Sequence, residues 1–326
     1  MRRYVLPIAV LLVMLLLPAA PAYAASVGDV ELIMNCVTPK HTMRYTSNGV
    51  WTPYGNPDPT RQLGSSQPRD VGIAVVGGDS HSVVVTSGGQ LYHAIRFPDG
   101  AWSLFLPVDG RLVSRVAVTD VNGDLWVVAS NEYGAWITIR SGATGWWTGL
   151  RQFWTPAPGE TITNLSVAWV VGLDVFPFIT TNRGRLVTGA LRGTTLVNSW
   201  VMRSDVSTAA VDSTNAGSLH LAAILTNGQV VHQALPRLGQ WTGWTDLDVA
   251  TGYTLPGNRD DIAIASDGYG AVSVAVTVRT VIGPDIYWMP WHAMRFTSGY
   301  WSSFNDLRPH AGNSCVLPVD IAMAGH

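Results

Sequence analysis

The chain is 326 residues long, 47% hydrophobic and only 13% charged, with a formal net charge of −2. Such a composition buries a large core and excludes a disordered chain, and without a basic field it argues against nucleic acid or an anionic membrane surface as partner. Lys40 is the sole lysine and Glu31, Glu132 and Glu160 are the only glutamates; with 33 Gly and 14 Trp, this disfavours helices and favours short strands joined by tight turns.

In chain order, Arg2 and Arg3 precede an apolar run from Tyr4 to Leu17, followed by a Pro/Ala stretch and Ala22-Tyr23-Ala24. A basic start, an apolar core and an A-x-A site predict a secretory signal peptide over residues 1–24, with 25–326 as the mature, secreted domain. The apolar run is shorter than the ~20 residues of a bilayer span, and no later segment is long and apolar enough to make one, so no membrane span is expected in the mature chain. Two cysteines in an exported protein predict a disulfide, here Cys36 with Cys315.

A repeat then runs through the chain. Six segments carry a strand ending in Arg or its equivalent, a Gly- or Asn-containing turn, and a tryptophan. They are His41 to Arg44 with Trp51, His93 to Arg96 with Trp102, Ile137 to Arg140 with Trp147, Gly189 to Arg192 with Trp200, His232 to Leu235 with Trp241, and His292 to Arg295 with Trp301. The tryptophans recur 51, 45, 53, 41 and 60 residues apart, periods that belong to four-stranded propeller blades. Each unit is preceded by a small, alternating strand, as in Val71-Gly-Ile-Ala-Val75, Arg115-Val-Ala-Val-Thr119 and Asp261-Ile-Ala-Ile-Ala265, suited to the crowded centre of a ring. An apolar second strand and a tight turn follow, such as Ser82-Val-Val-Val-Thr86 before Ser87-Gly-Gly89.

Five such inner strands lie in mid-chain, and the sixth is the C-terminal Val319 to His326, with no residues left to finish its blade. The N-terminal part, Val30 to Cys36 and then His41 to Trp51, begins mid-blade. The expected fold is therefore all-β: a six-bladed β-propeller of four-stranded blades, its ring closed by the C-terminal strand joining the N-terminal blade. This leaves no unpaired sheet edge at the seam. Cys36 and Cys315 would staple that seam, worth roughly 4–5 kcal/mol in the chain-entropy account.

Residues 207–247 carry Ala209-Ala-Val211, Asn215-Ala-Gly217, Leu219-His-Leu221, Thr226-Asn-Gly228, Val231-His232 and Gly239-Gln-Trp241-Thr-Gly-Trp244-Thr-Asp-Leu247. This resembles the repeat of the PLL-like bacterial β-propeller lectins, related in architecture to fucose-binding propeller lectins and tectonins. The same ending recurs at Trp102 to Phe105 and at Trp301 to Leu307, and degenerates in the blades ending at Trp147 and Trp200. The resemblance implies glycan binding in shallow pockets between blades, where fucose-type sites use an arginine and a glutamate with stacking aromatics. Here the arginine column exists as Arg44, Arg96, Arg140, Arg192 and Arg295, while the repeating glutamate is missing, which leaves the sugar preference open.

The columns have plainer readings too. His41, His93, His232 and His292 share a strand face with apolar residues, which reads as a buried inter-blade strut; one His per blade sets them too far apart for a common metal. The arginines are solvated, stacked on tryptophan, or donors to sugar hydroxyls. Trp51, Trp102, Trp241 and Trp301 are outer-strand packing or sugar platforms. Tyr287, Trp288 and Trp291 lie on the longest hairpin, whose insertion, Ile282 to Pro290, breaks the repeat, and such departures often carry function.

Asp120-Val-Asn122-Gly-Asp124 alternates oxygen ligands as calcium loops do but lacks the distal glutamate, so it reads as a polar turn. No cofactor motif, phosphate loop or H-E-x-x-H is present, and no second carboxylate is brought by sequence to Glu132 or Glu160. The leading expectation is a secreted carbohydrate-binding propeller without catalytic activity. The alternatives are a secreted scaffold for protein or peptide partners and, third, a glycoside-acting enzyme.

Overall fold

The computed structural model describes residues 26–64, 66–311 and 320–326. The expected signal peptide and Cys315 lie outside the described residues.

Blade 1 begins with β1 (Val30–Asn35) and β2 (Pro39–Arg44). Blade 2 is β3 (Pro68–Val76), β4 (Asp79–Thr86), β5 (Leu91–Arg96) and β6 (Leu106–Asp109), and blade 3 is β7 (Arg115–Val121), β8 (Asp124–Asn131), β9 (Gly134–Arg140) and β10 (Arg151–Trp154). Blade 4 is β11 (Ile162–Trp169), β12 (Val175–Thr181), β13 (Leu186–Arg192) and β14 (Thr195–Arg203). Blade 5 is β15 (Val206–Ser213), β16 (Leu219–Leu225), β17 (Val230–Leu235) and β18 (Thr245–Asp246), followed by a single helical turn, α1 (Leu247–Thr251). Blade 6 is β19 (Asn258–Ser266), β20 (Val272–Ile282), β21 (Asp285–Arg295) and β22 (Asn305–Asp306), followed by the short α2 (Arg308–Ala311). The chain ends in β23 (Ile321–Gly325), which pairs antiparallel with β1 from Val30↔Gly325 to Met34↔Ile321.

The molecule is a six-bladed β-propeller, as the repeat predicts. Blade 1 is closed by β23 on its inner side, and by bridges Arg44↔Trp51 and His41↔Gly55 on its outer side. Contacts between successive inner strands run from β3 through β7, β11, β15, β19 and β23 back to β3, completing the ring.

Hydrophobic alternation explains why the blades stack. Val83 and Val85 face blade 3, while Val84 between them faces blade 1. Both faces of a blade are thus buried, which is why central strands read as continuous apolar runs. Six apolar clusters result among the described residues, one in each gap between blades. Inner strands need small residues because they approach closely: a Cβ on Gly72 would lie 3.2 Å from a methyl of Val118.

The inner strands present a free edge to the central channel, and polar side chains of the preceding blade satisfy some of its donors. Asp70 accepts the Val116 N–H at 2.7 Å, Ser166 that of Val211 at 2.8 Å, Asp212 that of Ser266 at 2.6 Å and Asp261 that of Ile321 at 2.8 Å. Burial pushes Asp212 and Asp261 up to about 7. At the seam, Asn35 Oδ1 accepts the Asp320 N–H at 2.6 Å and the His326 carbonyl accepts the Gly28 N–H at 2.7 Å. The seam is held by backbone and side-chain bonds as well as by β23 itself.

Asp120 to Asp124 forms a two-residue hairpin turn, with Asn122 and Gly123 at φ 55° and 84° and the Gly123 N–H bonded to Asp120 at 2.9 Å. That is the polar-turn reading of this segment.

Candidate functional site

The third and fourth strands of a blade meet at the end of the molecule where the inner strands finish. There the column arginine and tryptophan lie directly opposite one another: Arg44↔Trp51, Arg96↔Trp102, Arg140↔Trp147 and Arg295↔Trp301. Residues opposed across an antiparallel pair share a face, so each guanidinium and indole leave the sheet together. The intervening turn needs glycine twice over. Gly145 and Gly299 sit at φ 75° and 92°, and an added Cβ would lie 3.1 and 3.4 Å from the Arg140 and Arg295 Nη2 atoms.

That shared face meets the preceding blade, where the column histidine stands edge-on to the tryptophan. His41 meets Trp102 at 5.3 Å between ring centroids, His93 meets Trp147 at 5.4 Å, His232 meets Trp301 at 5.1 Å and His292 meets Trp51 at 5.2 Å. The histidine column is thus a set of inter-blade struts, the plainer of its two readings. Each strut is anchored by a residue on the second strand of its own blade: His41 to Glu31 at 2.9 Å, His93 to His81 at 2.9 Å, His232 to His220 at 3.1 Å and His292 to Ser273 Oγ at 3.1 Å. This second column was not extracted from the sequence, although His81 and His220 each precede their partner by 12 residues.

Electrostatics divide these notches. Burial pulls His93, His232 and His292 down to about 3, and His81 and His220 down to about 4, so all five are neutral imidazoles near pH 7. Glu31 is different. Burial alone would raise it, but the charge of His41 and hydrogen bonds from His326 and His41 outweigh burial and hold it well below the carboxylate range. Glu31 accepts from His41, from His326 at 3.0 Å and from Ser80 at 2.7 Å, and pairs with Arg96 at 3.4 Å. Arg44 lies near Asp267 and Asp29, whose charges oppose the lowering that burial imposes on it. Arg192 pairs with Asp174 at 3.1 Å and is two-thirds exposed. Arg140 and Arg295, both half-buried, form no ion pair or side-chain hydrogen bond among the described residues.

The pattern lapses in the middle blades. Ile137, 1% exposed, stands in the histidine column of blade 3 and Gly189 in that of blade 4. Trp200 is 43% exposed on β14, and Trp241 packs against Phe178 at 6.5 Å. Leu235 replaces the arginine of blade 5. Four complete notches remain, between blades 1 and 2, 2 and 3, 5 and 6, and 6 and 1.

Of the tryptophans named from sequence, Trp51 is closed off at 6% exposed, while Trp102, Trp241 and Trp301 are half-buried. The aromatics of the long hairpin fall elsewhere. Trp288 and Trp291 are 8% exposed; the first donates its Nε1–H to Asp260 and the second stacks at a tilt on Tyr253, 5.3 Å away. They are inter-blade packing with no open ring face, and Tyr287 is half-buried. Open rings occur instead at positions outside the tryptophan column: Trp146 is 78% and Tyr300 77% exposed, each just before its column tryptophan.

Glu160 is buried and spent on Thr181 Oγ1 at 2.6 Å and Arg185 at 2.9 Å, whereas Glu132 is exposed on the β8–β9 turn. No group of three or more His, Cys, Asp or Glu able to hold a metal occurs among the described residues.

No family model matches the chain, and no curated protein matches it. Among solved structures it is similar to the BP39L lectin from Burkholderia pseudomallei, at 11% identity and a TM-score of 0.55, over 87% of this chain and 82% of that one. It is similar to AofleA from Arthrobotrys oligospora at 12% identity and 0.53, over 89% and 83%. The K499G mutant of NanB sialidase from Streptococcus pneumoniae matches at 10% identity and 0.54, over 78% and 64%. At such identities the likeness shows the propeller fold alone.

Proposed function

We propose that this chain is a secreted, lectin-like propeller that binds glycans in the notches between its blades. The observation that carries the reading is the recurrence, in four notches, of an arginine and a tryptophan on one face above a histidine strut of the neighbouring blade. A guanidinium offers a planar fork of donors to ring hydroxyls or charged substituents, and aromatic rings at the same turns offer stacking faces. The lectin resemblance read from residues 207–247 and the likeness of fold to BP39L support it. Single shallow sites bind weakly, and several on one rigid ring multiply affinity for a glycan-bearing surface.

The test is a broad glycan array probed with labelled protein beginning at Ala25, the form expected from secretion and checked by N-terminal sequencing. Saturable binding to one glycan class, competed by the free sugar, is the expected result; a blank at high, clustered protein concentration removes the reading.

A second reading, a scaffold for protein partners, is favoured by one feature. Phe97, Trp146, Leu238, Tyr269 and Tyr300, all exposed, sit on turns joining first to second or third to fourth strands, which share one end of the ring. A blank array turns the search to that face. Sugar release lost on Glu132→Gln would instead indicate an enzyme.

A further inference from the structure

We infer that the notches between blades 2 and 3 and between blades 5 and 6 take the oxyanion of an acidic sugar, a carboxylate- or sulfate-bearing pyranose, on Arg140 and Arg295. This rests on the reading of the notches as sugar sites and names the class of sugar.

The chain supplies its own comparison. Of the five column arginines, Arg96 is ion-paired with the buried Glu31 and Arg192 with Asp174, while Arg44 forms no ion pair among the described residues but lies within the influence of Asp267 and Asp29. Glu31 holds its place on the second strand, paired in register with Met43 of the third. The equivalent places in blades 2 and 5 belong to His81, opposite Ile95, and His220, opposite Ala234. Each is an imidazole committed to its partner histidine by an N–H···N bond, at 2.9 and 3.1 Å. Where blade 1 places a carboxylate against the guanidinium of the next blade, these two blades place a neutral ring. A half-buried guanidinium that forms no ion pair keeps its N–H donors free for an anion from outside.

A separate feature falls in the same two places. The turn that carries Arg140 also carries Trp146, and the turn that carries Arg295 carries Tyr300, both rings more than three-quarters exposed. At the same position before the column tryptophan, blade 1 has Val50, blade 2 Ala101, blade 4 Ser199 and blade 5 Gln240. A guanidinium with no ion pair among the described residues and an open aromatic ring therefore occur on one turn twice, and neither blade 1 nor blade 2 has the ring. A fork of N–H donors binds carboxylate or sulfate through two parallel bonds, and an exposed ring on the same turn offers a stacking surface at the rim to the pyranose that bears the anion. The two notches lie three blades apart in a ring of six, on opposite sides of the molecule, so one protein reaches two points of a repeating polyanionic chain or coated surface.

The experiment is a calorimetric titration of the mature protein with three oligosaccharides of matched length: a hexuronate, a sulfated neutral sugar and its unsulfated parent. We expect an acidic ligand to bind roughly ten- to a hundredfold more tightly than the neutral parent, the hexuronate and sulfate arms showing which oxyanion the fork prefers. The Arg140→Gln/Arg295→Gln protein loses that preference. So does His81→Glu/His220→Glu, which gives both arginines an internal carboxylate as blade 1 does, with folding of each variant checked by its melting curve. Equal affinity for acidic and neutral ligands, or a preference that survives both double variants, overturns the inference while leaving sugar binding intact. Binding of none of the three, together with a blank array, removes the sugar-site reading itself.

Discussion

Truncating a strut histidine tests how the blades are held together. In His93→Ala, His81 loses its hydrogen-bond partner at 2.9 Å and Trp147 loses the ring 5.4 Å from its own. His81 is 3% exposed, so water cannot replace the bond without opening the interface. A buried polar group left unpaired costs about 1–3 kcal/mol, and the edge-on ring pair is worth about 0.5–1.5 kcal/mol. The expected destabilisation is about 2–4 kcal/mol by equilibrium denaturation at pH 7.5, where the unfolded-state histidines are also neutral. A double-mutant cycle with Trp147→Ala isolates the contact between blades and should give a coupling of about 0.5–1.5 kcal/mol. A loss within about 0.5 kcal/mol for His93→Ala, or zero coupling, refutes the strut reasoning.

His292, pulled down to about 3 by burial, refuses a proton that the unfolded chain accepts below about 6.5, so it removes stability as pH falls from there towards 3. The stability of His292→Gln should therefore decline less steeply between pH 6 and 4, by about 1.4 kcal/mol per pH unit; Asp212 and Asp261, raised by burial, act with the opposite sign in both proteins and cancel in the difference. Parallel curves contradict this. Glu31→Gln strips the counter-charge from Arg96, His41 and His326 and should cost about 3–5 kcal/mol at pH 7, read by chemical denaturation. Cys36 is buried at the seam, and if Cys315 closes the ring with it, intact-mass analysis finds the protein two hydrogen atoms lighter than its reduced form, and reduction lowers stability by roughly 4–5 kcal/mol.

The ring was legible because its signals are local. Small alternating strands such as Val71 to Val75, and tryptophans at blade-sized intervals, report a repeat without knowledge of contacts, and the leftover C-terminal strand had only one place to go. The chemistry of the notches was less legible because it depends on how one blade is set against the next. That His93 meets Trp147 rather than its own Trp102 follows from packing between blades, not from spacing along the chain. Glu31, one of only three glutamates, lies against an arginine 65 residues away, a contact that spacing along the chain does not reveal. Trp288 and Trp291 lie on the hairpin that carries the insertion, which suggested exposure, but β20 and β21 extend as one long ladder that carries both rings into the gaps beside blade 6. Trp146 and Tyr300 escaped notice because they sit one residue outside the column.

The most direct test of the account is a crystal structure of the mature protein with the oligosaccharide that binds best on the array. Ordered sugar is expected in the inter-blade notches, within hydrogen-bonding reach of the column arginines, with the notches at Arg140 and Arg295 filled first by an acidic ligand. Sugar bound in the central channel or along the outer strands, with the notches empty, would contradict it.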